Sequence, residues 1–121
     1  MSYYVLIRGP LGCGKTTIAK KLAKLIKGKH ISIDEMLEKH DLLKDKEEGY
    51  VSQKSFFKAN DFGIAVAKKD LSKNVPVIFD GNFYWKSQIE DLLKKLQFPH
   101  YVFTLNAPLE VCIERDSKRK H

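Results

Sequence analysis

Residues 9–16, Gly9-Pro10-Leu11-Gly12-Cys13-Gly14-Lys15-Thr16, fit the pattern G-x-x-x-x-G-K-T, whose backbone amides seat a phosphate chain. Glycines 9, 12 and 14 let successive N–H groups face one concavity, and the helix that follows turns its positive end toward an anion. Lys15 is placed to neutralise β- and γ-phosphates as a point charge. The Thr16 hydroxyl is placed to hold Mg²⁺, which takes oxygen ligands. The loop residues, together with Thr17 next in the chain, are the expected seat of a nucleoside triphosphate, ATP or GTP.

Further groups could act on that triphosphate. Asp80 ends the apolar run 75–79, where a carboxylate can reach Mg²⁺ directly or through water; the plainer alternative is that Asp80-Gly81 is only a turn. Asp34 follows a short apolar segment and could accept the proton of a hydroxyl attacking the γ-phosphate. The tetrapeptide Ser32-Ile33-Asp34-Glu35 equally fits a capping box with Ser32 as N-cap, and the two roles are compatible. Arg115 and Arg119 stand four apart on one helix face, where guanidinium groups could cover a transferring phosphoryl; otherwise they form a solvated basic helix end. The aromatic run in Asn82-Phe83-Tyr84-Trp85 offers a stacking surface for a planar acceptor, or else core cover at a strand–helix junction. Lys54 and Lys58 could attract an anionic acceptor. The histidines 30, 40, 100 and 121 show no metal-binding spacing and receive no role.

To position these groups the chain needs strands that end level with one another. Residues 3–8 read as a buried strand, followed after the loop by a helix whose apolar positions recur until Gly28. Residues 30–33 read as a second strand, leading into a helix to about Leu43 and a charged, mobile loop over 44–49. Phe56, Phe57, Ile64, Ala67 and Leu71 mark a third helix, in which Gly63 is expected to permit close packing. Residues 75–79 suit a central parallel strand, Ile89, Leu92, Leu93 and Leu96 an amphipathic helix, and 101–106 a fourth strand before a final helix. Alternation of this kind implies right-handed crossovers and a parallel sheet covered by helices on both faces, the α/β class.

Composition limits the functional classes. With 121 residues the chain is read as one domain, and 22 Lys+Arg against 15 Asp+Glu, a net charge of +7, suits anionic partners, nucleotides or nucleic acid alike. The lysines are scattered over all helix-period segments, as on solvated faces. Cys13 and Cys112 lie far apart without metal-ligand spacing, which suits reduced thiols in the cytoplasm. The pattern of a signal peptide or membrane span is absent from the sequence.

Taken together, residues 9–16, Ser32-Ile33-Asp34, Val77-Ile78-Phe79-Asp80-Gly81-Asn82 and Arg115-Asp116-Ser117-Lys118-Arg119 resemble the P-loop kinases of small molecules and polynucleotide ends. The pattern is similar to nucleotide kinases grouped with polynucleotide 5′-kinases, zeta-toxin-like kinases and gluconate or shikimate kinases. That resemblance implies a P-loop three-layer sandwich, ATP and Mg²⁺, phosphate and metal binding by Lys15 and Thr16, an acceptor or base role for Asp34, and a lid role for Arg115 and Arg119. Kinases of this group have a sheet ordered 2-3-1-4-5 and continue past the arginines with a fifth strand, whereas this chain stops at His121. The expectation is therefore a sheet ordered 2-3-1-4, a domain truncated at its C-terminal end or completed by a partner, weak discrimination of ATP from GTP, and an edge strand over 100–106 prone to self-association.

The leading expectation is a kinase moving the γ-phosphate of Mg-ATP to a hydroxyl of a small molecule, nucleotide or polynucleotide end. The alternatives are a nucleotide-binding switch or weak NTPase acting through a partner, and nucleic-acid binding through the lysine-rich surface, which salt would weaken steeply.

Overall fold

The first apolar run forms β1 (Tyr4–Arg8), and the helix-period segment after the phosphate loop forms α1 (Lys15–Leu25). Next come β2 (Lys29–Ser32), α2 (Ile33–Lys39), and a ribbon of two short strands, β3 (Lys46–Glu47) and β4 (Tyr50–Val51). The long helix α3 (Gln53–Ser72), β5 (Val77–Gly81), α4 (Lys86–Lys95) and β6 (His100–Thr104) complete the order. The computed structural model describes residues 2–9 and 14–105. Pro10, Leu11, Gly12, Cys13, Arg115 and Arg119, and with them the final helix, lie outside the described residues.

The main sheet is parallel and ordered β2-β5-β1-β6, which is the expected 2-3-1-4 once the ribbon strands are set aside. Its register pairs Ile7 with Asp80, Arg8 with Gly81 and Ser32 with Asp80, so β1, β2 and β5 end at one level. Everything that follows those strands is delivered to a single edge, where ligands of open parallel sheets bind.

Alternate residues face opposite layers. Val5, Ile7 and Ile78 pack on Ala19 and Ala23 of α1, whereas Tyr4, Leu6, Ile31, Val77 and Phe79 pack on the other face against α2, α3 and α4. Central strands covered on both faces must be apolar on both, which is why β1 and β5 read as continuous hydrophobic runs. β6 is the outer strand among the described residues, with Tyr101, Val102 and Phe103 exposed. Among the described residues no helix is long and apolar enough to cross a membrane.

Three helices stop in the same way, and this corrects two expected boundaries. Lys27, Asp41 and Asn74 adopt left-handed backbone (φ 54°, 54° and 62°) just beyond α1, α2 and α3. The next amide reaches back five residues in each case, Gly28 to Ala23 O at 2.7 Å, Leu42 to Leu37 O at 2.8 Å and Val75 to Asp70 O at 2.9 Å. The second helix therefore closes at Lys39, four residues before Leu43, because Asp41 reverses the chain and Leu42 folds onto the core. In α1 the left-handed turn falls on Lys27 rather than on Gly28. Gly28 answers a different need: a Cβ there would stand 2.7 Å from the carbonyl oxygen of Pro76. Gly63 is less demanding than expected, since a Cβ would meet Phe79 at an ordinary 3.4 Å.

The charged stretch expected as a mobile loop is instead the β3–β4 ribbon. Glu48 and Gly49, at φ 52° and 82°, form a two-residue turn of the type whose twist matches antiparallel strands. Strands of two residues are too short to show alternation.

Candidate active site

Lys15 is the first residue of α1 and is buried, although it is a lysine. Gly14 before it is the N-cap in left-handed conformation (φ 76°), with no side chain accepting from the first-turn amides and no acidic residue in that turn. Among the described residues no side chain caps the positive end of α1, an arrangement that favours an anion there. Gly9 serves close packing: a Cβ there would come 3.0 Å from Leu105 O, and the Leu105 amide donates to Arg8 O at 2.8 Å. Thr17 is exposed on the first turn of α1.

Thr16 and Asp80 meet. The Thr16 hydroxyl donates to Asp80 Oδ1 at 3.3 Å, bringing the first turn of α1 to the carboxylate near the end of β5. Asp80 is fully buried, and an unpartnered carboxylate there would be costly. Two hard oxygen donors converging beside an anion seat fit Mg²⁺, which favours a few protein oxygens completed by phosphate and water.

The other carboxylate oxygen, Asp80 Oδ2, pairs with Nε2 of His30. No role for His30 was legible in spacing. It lies on β2 opposite Ile78, and only the parallel register brings its ring to the carboxylate two residues further along β5.

Asp34 sits in the first turn of α2, half-buried. Burial pushes its carboxyl above the ordinary value; Lys15 pulls it down, and Asp80 and Glu38 push it further up. Asp34 is thus within electrostatic reach of both the loop lysine and the strand-end carboxylate. The capping role is present too, since the Glu35 amide donates to Ser32 Oγ at 3.2 Å.

The aromatic run divides its duties. Phe83 is fully buried in the core, and Trp85 donates from Nε1 to Val51 O at 2.9 Å, tying the ribbon to the sheet edge. Tyr84 instead stands half-exposed and stacks on Tyr50 of the ribbon, with ring centroids 3.9 Å apart. These rings form one wall of a cavity of about 610 Å³ that also touches Arg8, Gly9, Lys46 and Asn82. Lys54 and Lys58 are exposed on α3 and are not among the cavity's walls.

The model of the AAA domain family matches residues 5–121. This chain belongs to that family. Among solved structures, the AAA domain is similar to a sugar kinase from a Janibacter species, with a TM-score of 0.79 and 19% identity, covering 100% of this chain and 69% of that one. It is similar also to a gluconokinase from Sinorhizobium meliloti (TM-score 0.72, 18% identity, 98% and 66% covered). A putative kinase from Chloroflexus aurantiacus gives 0.70 at 20% identity, with 98% and 67% covered. The chain thus spans about two-thirds of the length of these kinases, and at such identities the likeness establishes a shared P-loop kinase-like fold. Among curated proteins no sequence matches it significantly.

Proposed function

We propose that this AAA domain transfers the γ-phosphoryl group of Mg-ATP or Mg-GTP to a hydroxyl of an acceptor. The observation that supports this most strongly is the convergence of Lys15, Thr16, Asp80 and Asp34 at one sheet edge, with Thr16 Oγ1 3.3 Å from Asp80 Oδ1 and Asp34 sensing both Lys15 and Asp80. The names of the structural neighbours, which are kinases, support the same reading.

In the transfer the acceptor oxygen attacks the γ-phosphorus, the bond from phosphorus to the β–γ bridging oxygen breaks, and a nucleoside diphosphate leaves. The acceptor's proton passes to Asp34, whose raised affinity for protons suits a general base. Lys15 and the backbone N–H groups of the loop, other than Pro10, which has none, hold the phosphate chain. Thr16 and Asp80 are the residues to hold Mg²⁺, which when bound offsets charge on the phosphate oxygens. His30 keeps the Asp80 carboxylate oriented through its second oxygen. Arg115, with Arg119, completes the proposal by closing over the transferred group. Most of the rate gain then comes from positioning and fixed charge.

The test is γ-phosphate transfer to a panel of sugars, nucleosides and 5′-hydroxyl oligonucleotides. Lys15→Ala is expected to abolish ATP binding, whereas Asp34→Asn retains binding and lowers the transfer rate by about 10²–10⁴. Intact ATP binding with transfer to no acceptor would defeat the proposal.

A further inference from the structure

The cavity beside Gly9 opens at the same sheet edge as the loop, bounded by the ends of β1 and β6 and by the residues just after β5. Its outer wall is the β3–β4 ribbon, part of the segment joining α2, which bears Asp34, to α3, and its inner wall follows β5 just beyond Asp80. Asp34 is not itself among the lining residues, so an acceptor held here reaches that carboxylate by extending along the edge toward β2.

Three features of the lining define what fits. Arg8 and Lys46 supply two positive charges, and neither forms an ion pair among the described residues. The neighbouring Glu47 carboxylate is turned onto Gln53, accepting from its amide at 3.1 Å and from Nε2 at 2.8 Å, and so does not neutralise Lys46. Tyr50 and Tyr84 present a parallel aromatic pair, interplanar angle 22°, with about half of each residue exposed. Finally, among the described residues Asn82 Oδ1 is buried without a hydrogen-bond partner, an acceptor able to take a donor.

A sugar or sugar acid matches this lining poorly. Each hydroxyl taken from water needs a partner, and apart from the tyrosine hydroxyls the neutral side chains able to bond here are those of Asn82 and Thr104. A heteroaromatic ring needs few such partners, gains from stacking, and can offer an N–H to Asn82. An anionic group beside it answers Arg8 and Lys46.

Resting on the phosphotransfer reading, we propose that the acceptor is a nucleoside phosphate with a free sugar hydroxyl. Its base lies against Tyr50 and Tyr84, its phosphate against Arg8 and Lys46, and its hydroxyl toward Asp34. A free mononucleotide and the terminal residue of an oligonucleotide share this chemistry.

Trp85, the sole tryptophan, stands edge-on to Tyr84 at 5.1 Å and reports on the cavity by fluorescence. The experiment titrates uridine 3′-monophosphate, uridine, gluconate and a 5′-hydroxyl dinucleotide against the protein saturated with Mg²⁺ and a non-hydrolysable ATP analogue, whose own binding is followed by calorimetry. The monophosphate is expected to give a saturable change, with uridine and gluconate binding at least about tenfold more weakly. Tyr84→Ala and Tyr50→Ala should each weaken it about tenfold, and Lys46→Gln should weaken it and flatten its salt dependence. A dinucleotide that binds more tightly than the monophosphate identifies a polynucleotide end; one that binds equally or less tightly identifies a free nucleotide. Gluconate binding as tightly as the monophosphate, indifference to all three substitutions, or displacement by the ATP analogue would overturn the proposal. Analogue binding with no response to either nucleotide at millimolar concentration sinks this proposal alone. Failure of the analogue to bind while the monophosphate still does sinks the phosphotransfer reading instead.

Discussion

Asp34 is pulled in two directions, and the site depends on the outcome. Burial favours its protonated form, whereas Lys15 favours the carboxylate; burial is the larger influence, so the folded pKa lies above the unfolded one. The stability this group contributes is therefore complete below the unfolded value and is lost as pH rises through the raised folded value. Removing the charge should reverse that loss: Asp34→Asn is expected to melt higher than the parent at pH 7, with the difference vanishing in acid, as thermal denaturation across pH would show. On the proposed role of Asp34 as base, transfer by the parent should rise with pH over the same interval, since a base acts when ionised. His30 acts through its hydrogen bond. Its ring satisfies one oxygen of a fully buried carboxylate, so His30→Ala should lower stability by about 1–3 kcal/mol, measured by urea denaturation, and reduce Mg²⁺ affinity by loosening Asp80. An unchanged midpoint would show that Asp80 finds another partner.

Between α2 and α3 the ribbon forms one wall of the cavity beside Gly9. Its turn depends on Gly49 at φ 82°, where a Cβ would meet nothing yet the backbone would be strained. Gly49→Ala is accordingly expected to cost about 1 kcal/mol, mostly confined to the ribbon. Because Trp85 donates to Val51 O, its fluorescence should change before the rest of the fold responds to denaturant. Coincident loss of fluorescence and helical signal would show that the ribbon is not an independent unit. Long, periodic elements such as α3 and α4 were legible in the sequence, because burial of one stripe demands a repeat. The ribbon and the end of α2 were not, since two-residue strands have no period and a left-handed aspartate is chosen by what Leu42 packs against.

Across the whole molecule, Tyr4 links the first strand to the last described helix. Fully buried, it donates its hydroxyl to Leu96 O at 2.7 Å just past α4, and burial pushes its phenol up to about 12. A raised pKa means that this stabilisation is intact below the unfolded value near 10 and drains away as pH climbs to about 12. Tyr4→Phe should cost about 1 kcal/mol at neutral pH through the lost hydrogen bond. It should also flatten the alkaline decline in stability between those two pH values. An alkaline denaturation profile unchanged by the substitution would mean that other groups dominate it.

Taken alone, the chain's order of residues determined the glycine-rich loop motif, the placing of two carboxylates after apolar runs and the alternation of strand and helix, because each depends on neighbours close in sequence: glycines in one loop, an acid at the end of an apolar run, a repeat of 3.6. Tertiary structure alone decided that Thr16 meets Asp80 across 64 residues, that His30 reaches the same carboxylate, and that Arg8, Lys46, Tyr50 and Tyr84 share one cavity. Those contacts arise from strand order and register, which are set by how two apolar faces are buried at once, and no local pattern encodes them.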